Sequence, residues 1–231
     1  MKIAVMGAMP EEVAPILEKL GNYSILEYAG NKYYEGNYNG IDVVVAYSKI
    51  GKVFSTLTAT TLIEHFGCEK LLFSGVAGAI SPELKVGDLV VATKLSQHDL
   101  DITAFGHPFG FVPEGAVFVE ADPSLIEISK KVAQSLGKTV REGIIATGDQ
   151  FVANEERKNW IGETFGADAL EMEGGSVAVV CNALDVPFFI LRAISDAADM
   201  DASFSFDEFL ETSAVESAEF VMKMLDVIAA E

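Results

Sequence analysis

The stretch from Asp168 to Asp196, DALEMEGGSVAVVCNALDVPFFILRAISD, sets the organisation of the chain. It contains two short apolar runs. One ends at Glu171 and Glu173, and the other leads into Arg192 and Asp196. A segment of helical length separates them, and a strand–helix–strand pattern favours a right-handed parallel crossover. We therefore expect these charged residues to meet at the carboxyl ends of strands, where open α/β sheets bind their ligands.

Each of these charges also has a purely structural interpretation. A glutamate just before a helix, such as Glu171 or Glu173, stabilises the positive end of the helix dipole. Arg192 and Asp196 could form an ion pair with each other. The constellation is more specific than its parts, because charged residues follow two separate buried strands.

The composition limits the classes of partner. The chain has 231 residues, enough for one large domain, and half of them are hydrophobic. It carries 35 Asp and Glu against 16 Lys and Arg, a formal charge of −19. Such a charge repels nucleic acid, and no stretch is long and apolar enough to span a bilayer. We expect neither a nucleic-acid partner nor a membrane partner.

The cysteines and the N-terminus indicate a cytoplasmic location. Cys68 and Cys181 lie in apolar helical patterns, which is typical of buried thiols in a reducing compartment. The first strand ends at Gly7 and lacks the longer apolar region of a signal peptide. The histidine and aspartates at 98–101 do not have the spacing of a known metal site. We therefore expect no metal.

The rest of the chain alternates strand and helix signals. A strand at 2–6 leads into a helix that has Pro10 in its first turn and Glu11 and Glu12 near its dipole. The turn Asn39-Gly40 predicts a β-hairpin. Further helices are predicted at 53–66, 122–136, 154–165 and 205–229, and further strands at 71–73, 84–93 and 143–147. Hairpin and crossover signals together indicate one α/β domain over residues 1–231, with a central mixed twisted sheet flanked by helices.

Three glycine-containing segments carry further expectations. Residues 74–78 predict a small-residue turn that resembles a phosphate-binding loop but lacks its motif spacing. The aromatic loop at 98–113 is typical of a lid or an interface. Gly7 has no side chain, so another group is expected to approach it closely.

Six motifs occur in order along the chain: Met6-Gly-Ala-Met-Pro-Glu-Glu12, Ser48-Lys-Ile-Gly-Lys-Val53, Gly148-Asp-Gln-Phe151, Glu171-Met-Glu173, Arg192-Ala-Ile-Ser-Asp196 and Ser205-Phe-Asp-Glu-Phe209. Together they resemble those of the 5′-methylthioadenosine/S-adenosylhomocysteine nucleosidases. The resemblance implies a nucleoside phosphorylase-like fold, a homodimer, and hydrolysis of 5′-substituted adenine nucleosides without a cofactor. Residues 46–53, 73–78 and 102–113 look most like the branch that also cleaves 6-amino-6-deoxyfutalosine in menaquinone synthesis.

The resemblance also implies roles for individual residues. Asp196 would protonate the departing adenine, and Glu12 would activate water with Arg192 nearby. Glu173 and Met172 would hold the ribose hydroxyls. Further substrate-binding residues implied are Phe151 and Val152 for the base; Met9, Ile50, Val76 and Phe206 for the 5′ substituent; Phe105 and Pro113 from the other subunit; and Ala77, Gly78, Glu171 and Ser195. Val76 stands where many relatives have serine, so the role of that hydroxyl is not expected here.

These residue types suit the chemistry of an N-glycosidic bond. One carboxylic acid protonates the leaving base and a second carboxylate activates water on the opposite side, as in inverting glycoside hydrolysis. Each proton transfer contributes roughly 10²–10⁴-fold. For Asp196 to donate a proton near neutral pH, burial has to raise its pKa.

Other classes of function compete with this one. A nucleoside phosphorylase needs a cationic phosphate site, whereas this chain has three arginines and a charge of −19. A non-catalytic nucleoside-binding module would not need Glu12, Glu173 and Asp196 together. A phosphoacceptor receiver domain fits neither the length nor the acidic pattern.

Overall fold

One mixed β-sheet carries the fold. The computed structural model describes residues 1–199 and 202–230, apart from the side chain of Phe204. The strands are β1 Lys2–Gly7, β2 Tyr23–Tyr28, β3 Asn31–Tyr38, β4 Ile41–Tyr47, β5 Lys70–Ala79, β6 Leu89–Gln97, β7 Val119–Glu120, β8 Val140–Thr147, β9 Ala169–Glu171 and β10 Phe188–Asp196. The helices are α1 Pro10–Leu20, α2 Lys52–Thr60, α3 Pro123–Leu136, α4 Glu155–Phe165, α5 Gly174–Ala183 and α6 Ala202–Ala229. A π-helical turn, Thr61–His65, extends α2, and Thr103–Phe105 forms a 3₁₀ turn.

Half of the sheet closes into a ring. β5 pairs with β10, β10 with β6, β6 with β8, β8 with β9, and β9 again with β5. From β5 the sheet continues through β1, β4, β3 and β2. The α/β class, the single mixed sheet and the flanking helices are therefore as predicted, but the sheet is not open throughout.

The expected parallel crossover between β9 and β10 is wrong. β10 runs parallel to β5, whereas β9 runs antiparallel to it, so β9 and β10 point in opposite directions. The three-residue β9 takes its direction from β8, its parallel neighbour, and completes the ring between β8 and β5. The two charged strand ends meet because both strands pair with β5 at Gly78, whose partners are Leu170 of β9 and Asp196 of β10.

The predicted small-residue turn at 74–78 is also wrong, because β5 continues through it to Ala79. Its glycines allow close approach of side chains. A Cβ on Gly75 would lie 2.8 Å from Glu12 Oε1 and 2.9 Å from Arg192 Nη1. A Cβ on Gly78 would lie 2.8 Å from Asp196 Oδ1. The two glycines of β5 therefore leave space for the charged side chains that pack against this strand.

Local capping signals were reliable. The Asp122 side chain accepts hydrogen bonds from the backbone N–H groups of Ser124 and Leu125 at the start of α3, with Pro123 at its first position. Asn154 caps α4 in the same way. The Asn39-Gly40 hairpin joins β3 to β4 as expected.

The long helix α6 covers one face of the sheet. It packs against β5, β10 and α1, while α2 packs against α5. Phe73, Phe189 and Phe220 are among the fully buried side chains of the core. β2, which the sequence did not predict, is an edge strand with every residue exposed. In the part of the chain that the structure describes, no helix has the length and apolar character needed to cross a bilayer.

Candidate active site

A cavity of about 270 Å³ opens where the ends of β1, β5, β9 and β10 meet the first turn of α1. It is lined by Ala8, Met9, Glu12, Ile50, Val76, Ala77, Gly78, Gln150, Phe151, Val152, Leu170, Glu171, Met172, Glu173, Ser195, Asp196 and Phe206. Of the site residues expected from the sequence, all but Arg192, Phe105 and Pro113 line this cavity. The structure therefore brings together segments that are up to about two hundred residues apart in the chain.

Glu12 is fixed at the N-terminus of α1 by backbone groups. Its Oε2 accepts hydrogen bonds from the N–H of Ala8 at 2.5 Å and of Met9 at 3.0 Å, and its Oε1 accepts from the N–H of Val76 at 3.0 Å. A Cβ on Gly7 would lie 2.9 Å from both Glu12 Cβ and Val13 Cγ1, so the close approach expected at Gly7 is made by these two side chains of α1. Burial raises the pKa of Glu12, and the charge of Arg192 opposes that rise.

Arg192 lies beneath the cavity and pairs with Glu171. Its Nη2 donates to Glu171 Oε2 at 2.6 Å, and the centre of its guanidinium lies 4.1 Å from the centroid of the Phe73 ring. The alternative in which Arg192 pairs with Asp196 is therefore wrong: the opposite directions of β9 and β10 place Glu171 against the guanidinium instead. Glu171 Oε2 also accepts from Gly174 N–H, and its Oε1 accepts from the Thr147 hydroxyl. Both oxygens of Glu171 are thus occupied by the protein.

Among the residues that the structure describes, one backbone group donates to the Glu173 carboxyl. Its Oε1 accepts from the N–H of Gly51 at 2.8 Å, and the side chain faces the cavity. Burial, assisted by the nearby charge of Glu171, raises the pKa of Glu173 to about 8. Unlike Glu171, this carboxyl retains hydrogen-bonding capacity that a ligand can use.

Asp196 is the last residue of β10 and lines the same cavity. Its Oδ1 accepts from the N–H of Ala198 at 2.8 Å, and its Oδ2 accepts from the hydroxyl of Ser195 at 2.9 Å. Burial raises the pKa of Asp196, against the hydrogen bonds from Ala198 and Ser195, which lower it. This is the direction that a proton donor near neutral pH requires.

The open end of the cavity is apolar. The rings of Phe151 and Phe206 meet edge to face with their centroids 5.6 Å apart, and Ile50 lies at the rim, more than half exposed. Phe105 and Pro113 lie elsewhere and face solvent, Phe105 with 81% of its surface exposed. The expectation that these two belong to another subunit's cavity remains a prediction.

Sequence reasoning missed several residues at the site. Ala8, Gln150 and Leu170 line the cavity beside residues that were expected, and Gln150 lies inside a recognised motif. Gly51 was quoted only as part of a motif, although its N–H holds Glu173 and its φ of 99° favours glycine. Thr147 carried no signal, because its contact with Glu171 depends on the pairing of β8 with β9.

The charge of the lining is one-sided. Among the lining residues that the structure describes, no Lys, Arg or His side chain faces the cavity, while Glu12, Glu171, Glu173 and Asp196 do. Within residues 1–199 and 202–230, no group of three or more His, Cys, Asp and Glu side chains has an arrangement that could hold a metal ion.

This site lies on the fold of a known class of enzymes. The chain belongs to the phosphorylase superfamily, whose family model matches residues 2–226.

Relatives within the superfamily are similar over nearly their whole length. The chain is 57% identical to the aminodeoxyfutalosine nucleosidase of Campylobacter jejuni, over 98% of this chain and 99% of that one. It is 40% identical to the 5′-methylthioadenosine/S-adenosylhomocysteine nucleosidase of an Exiguobacterium strain, over 96% of each. The solved structure of the futalosine hydrolase of Helicobacter pylori strain 26695 superposes with a TM-score of 0.97 at 50% identity, covering 98% of both chains. The predicted nucleoside phosphorylase-like fold is confirmed.

Proposed function

We propose that this chain is a nucleosidase that hydrolyses the N-glycosidic bond of 5′-substituted adenine nucleosides and releases adenine. The observation that carries the proposal is the convergence of Glu12, Glu173 and Asp196 on one cavity whose described lining contains no cationic side chain. The identity to named nucleosidases supports the same reaction.

Asp196 is proposed as the general acid. A protonated carboxyl of Asp196 donates to N7 of adenine, so the electrons of the breaking C1′–N9 bond are accepted by a neutralised base. Burial raises the pKa of Asp196, which is the direction that favours a protonated carboxyl. The backbone of Phe151 and Val152 forms the neighbouring wall, and the half-exposed Phe151 ring is placed to stack on the base.

Glu12 is proposed as the general base. Three N–H donors hold its carboxyl, which leaves one lone-pair position on Oε1 for a water molecule. The water oxygen bonds to C1′ while its proton passes to Glu12. Arg192 Nη1 and Glu12 Oε1 both lie close to Gly75 of β5. The positive charge of Arg192 lowers the pKa of Glu12 and so favours the ionised form of the base.

Glu173 is proposed to bind the ribose hydroxyls, with Met172 beside it. The Gly51 N–H holds one carboxyl oxygen, and the other, to which no described residue donates, can accept from a ribose hydroxyl or, when protonated, donate to it. Met9, Ile50, Val76 and Phe206 are proposed to surround the 5′ substituent. Because an apolar pocket discriminates against one methylene by only about 1–3 kcal/mol, we expect several 5′ substituents to be accepted.

A phosphorylase is the second candidate, since the superfamily bears that name. Phosphate carries nearly two negative charges, and binding it in a cavity with four carboxyl groups requires compensating cations. The charge of Arg192 is already matched by Glu171 at 2.6 Å. Water is therefore the preferred nucleophile.

Adenine release separates these candidates. The protein is incubated with 5′-methylthioadenosine, S-adenosylhomocysteine, 5′-deoxyadenosine and 6-amino-6-deoxyfutalosine, with and without inorganic phosphate. We expect adenine and a free ribose derivative in every case, at rates independent of phosphate. A requirement for phosphate would establish the phosphorylase, and no release from any substrate would refute the proposal. Turnover of the last compound is what a part in menaquinone synthesis requires, and turnover of the first two is what methionine salvage requires.

A homodimer is proposed as the working form. Val53, Phe54 and Leu57 on α2 are exposed beside Ile50, and the loop carrying Phe105 is also apolar and exposed. Apolar surfaces of this kind mark contacts between chains, and an isologous contact would place one chain's Phe105 and Pro113 near its partner's 5′ pocket. We also expect a cytoplasmic location, because Cys68 and Cys181 are both unpaired and buried.

The oligomeric state tests this arrangement. Light scattering of the wild-type protein at micromolar concentration is expected to give twice the mass of the chain. Val53→Glu is expected to give a monomer, whereas Val215→Glu, at an exposed position on α6, leaves the dimer intact. A fully active wild-type monomer would contradict the proposal.

A further inference from the structure

A closed ring of three polar residues lies just outside the cavity. Lys52 Nζ donates to Asp99 Oδ1 at 2.6 Å, and the backbone N–H of Asp149 donates to Asp99 Oδ2 at 2.8 Å. The backbone N–H of Lys52 donates to Asp149 Oδ1 at 2.8 Å, which closes the ring. Asp99 is the centre of the ring, because it uses one carboxyl oxygen for each of the other two residues.

Each residue of the ring belongs to a different segment. Lys52 starts α2 directly after Gly51, whose N–H holds Glu173. Asp149 directly precedes residues 150–152, which form one wall of the cavity. Asp99 follows the end of β6 and lines no part of the cavity. The three polar residues therefore connect the turn that holds Glu173 to the wall at 150–152, and Asp99 does so from outside the cavity.

The turn before α2 needs such support. Lys49 and Gly51 both have positive φ, at 73° and 99°, and a non-glycine residue pays a conformational cost there. No side chain of the turn caps α2, and Asp149 caps it from another loop instead. Asp99 is well placed to hold this arrangement, because only 15% of its side chain is exposed.

We propose that Asp99 is a positioning residue: by holding Lys52 and the backbone of Asp149 together, it sets the Gly51 N–H against Glu173 and fixes the wall at 150–152. The catalytic consequence rests on the proposed nucleosidase function, whereas the positional consequence does not. Substrate binding, rather than the proton transfers at Glu12 and Asp196, is the step that depends on the ring.

The test uses Asp99→Asn and a matched control. In the wild type Lys52 and the Asp149 N–H donate to different oxygens of Asp99. In asparagine an NH₂ group, which cannot accept, replaces one of these oxygens, so one of the two contacts is lost. Asp168→Asn is the control, because Asp168 also accepts from a cation, Arg141, and from a backbone N–H, that of Ile144, with 16% of its side chain exposed. Asp168 does not line the cavity.

Steady-state kinetics with 5′-methylthioadenosine measure the catalytic consequence. We expect Asp99→Asn to raise KM about three- to thirty-fold, the range for losing one capping contact, with kcat changed less than about threefold. Asp168→Asn is expected to leave KM unchanged. Equal KM values for Asp99→Asn and the wild type, or an equal rise in both variants, would overturn the proposal.

Hydrogen exchange measures the positional consequence without any substrate. In Asp99→Asn the peptides covering 49–53 and 148–153 are expected to exchange faster than in the wild type and in Asp168→Asn. Unchanged exchange in both peptides would refute the ring's role even if the wild type released no adenine, an outcome that would refute the nucleosidase function separately. If Asp99→Asn does not fold, Lys52→Met is measured in the same way; it removes the ammonium group together with its hydrogen bonds to Asp99 and Gln97 and keeps the backbone N–H that donates to Asp149.

Discussion

Replacing Asp196 with asparagine should remove catalysis while leaving the fold intact. The new carbonyl oxygen can accept from Ala198 N–H in place of Oδ1, and the new amino group can donate to Ser195 Oγ in place of Oδ2. The Ser195 hydroxyl can then turn to the Ala77 carbonyl oxygen, which lies 3.4 Å away. Because no buried donor or acceptor is orphaned, we expect the free energy of unfolding to change by less than about 1 kcal/mol.

The rate should fall far more than the stability. An amide cannot give its proton to N7 of adenine, so the contribution of the general acid, about 10²–10⁴-fold, is lost. That loss corresponds to about 2.7–5.4 kcal/mol of activation free energy, at 1.36 kcal/mol for each factor of ten. Adenine release from 5′-methylthioadenosine at pH 7 gives the rate, and urea unfolding gives the stability.

A conservative change elsewhere provides the control. Asp42 lies exposed on β4 and accepts one hydrogen bond from Asn37, so Asp42→Asn repeats the chemistry of the substitution away from the cavity. It should leave the rate unchanged. A folded Asp196→Asn protein that retains turnover within about threefold of the wild type would remove Asp196 from the role of general acid.

Three further predictions concern the other groups around the cavity. Glu12→Gln should lose both turnover and stability. The amino group of the glutamine side chain must face at least one of the three backbone N–H donors and leave that donor unsatisfied, which costs about 1–3 kcal/mol. Urea unfolding equal to that of the wild type would disprove this reasoning. Because burial raises the pKa of Glu173 from 4.5 to about 8, its contribution to stability is complete below pH 4.5 and is lost as the pH rises to 8. The melting temperature of the ligand-free wild type should therefore fall more steeply over that interval than that of Glu173→Gln, and parallel curves would contradict the assignment. We also propose that the 6-amino group of adenine donates to Asp196. Hypoxanthine has a carbonyl oxygen at that position, so its nucleosides should be cleaved poorly; comparable kcat/KM for matched adenine and hypoxanthine nucleosides would exclude this mode of base recognition.

Local signals in the sequence predicted the elements well. Asp122 with Pro123, Asn154, and Asn39-Gly40 each act through neighbouring backbone groups, so the chain itself fixes their structures. The positions of most cavity residues were also predicted, because their motifs resemble those of a family and the fold of that family is conserved in the relatives.

What the sequence could not predict depends on strand pairing across long distances. Glycines after an apolar run usually mark a turn, but Gly75 and Gly78 remain in β5 and make room for Glu12, Arg192 and Asp196. The pairing of Arg192 with Glu171 follows from the closure of the ring of strands, and the hydrogen bond from Gly51 to Glu173 follows from loop packing. No local sequence pattern encodes either of them.

The closure of the ring of strands at β9 has a consequence for the resistance of the protein to proteases. β9 pairs with β5 only at Gly78 and Ala79, whereas β10 pairs with the same strand from Leu71 to Gly78. Within the ring of strands, transient opening should therefore begin where β9 meets β5 and release the wall at 170–173. A ligand that contacts both Glu173 and Asp196 would join the two sides of this weak junction and slow cleavage there. Limited proteolysis with and without adenine and the ribose product should therefore differ most at residues 165–173, and equal protection along the whole chain would argue against β9 as the first strand of the ring to open.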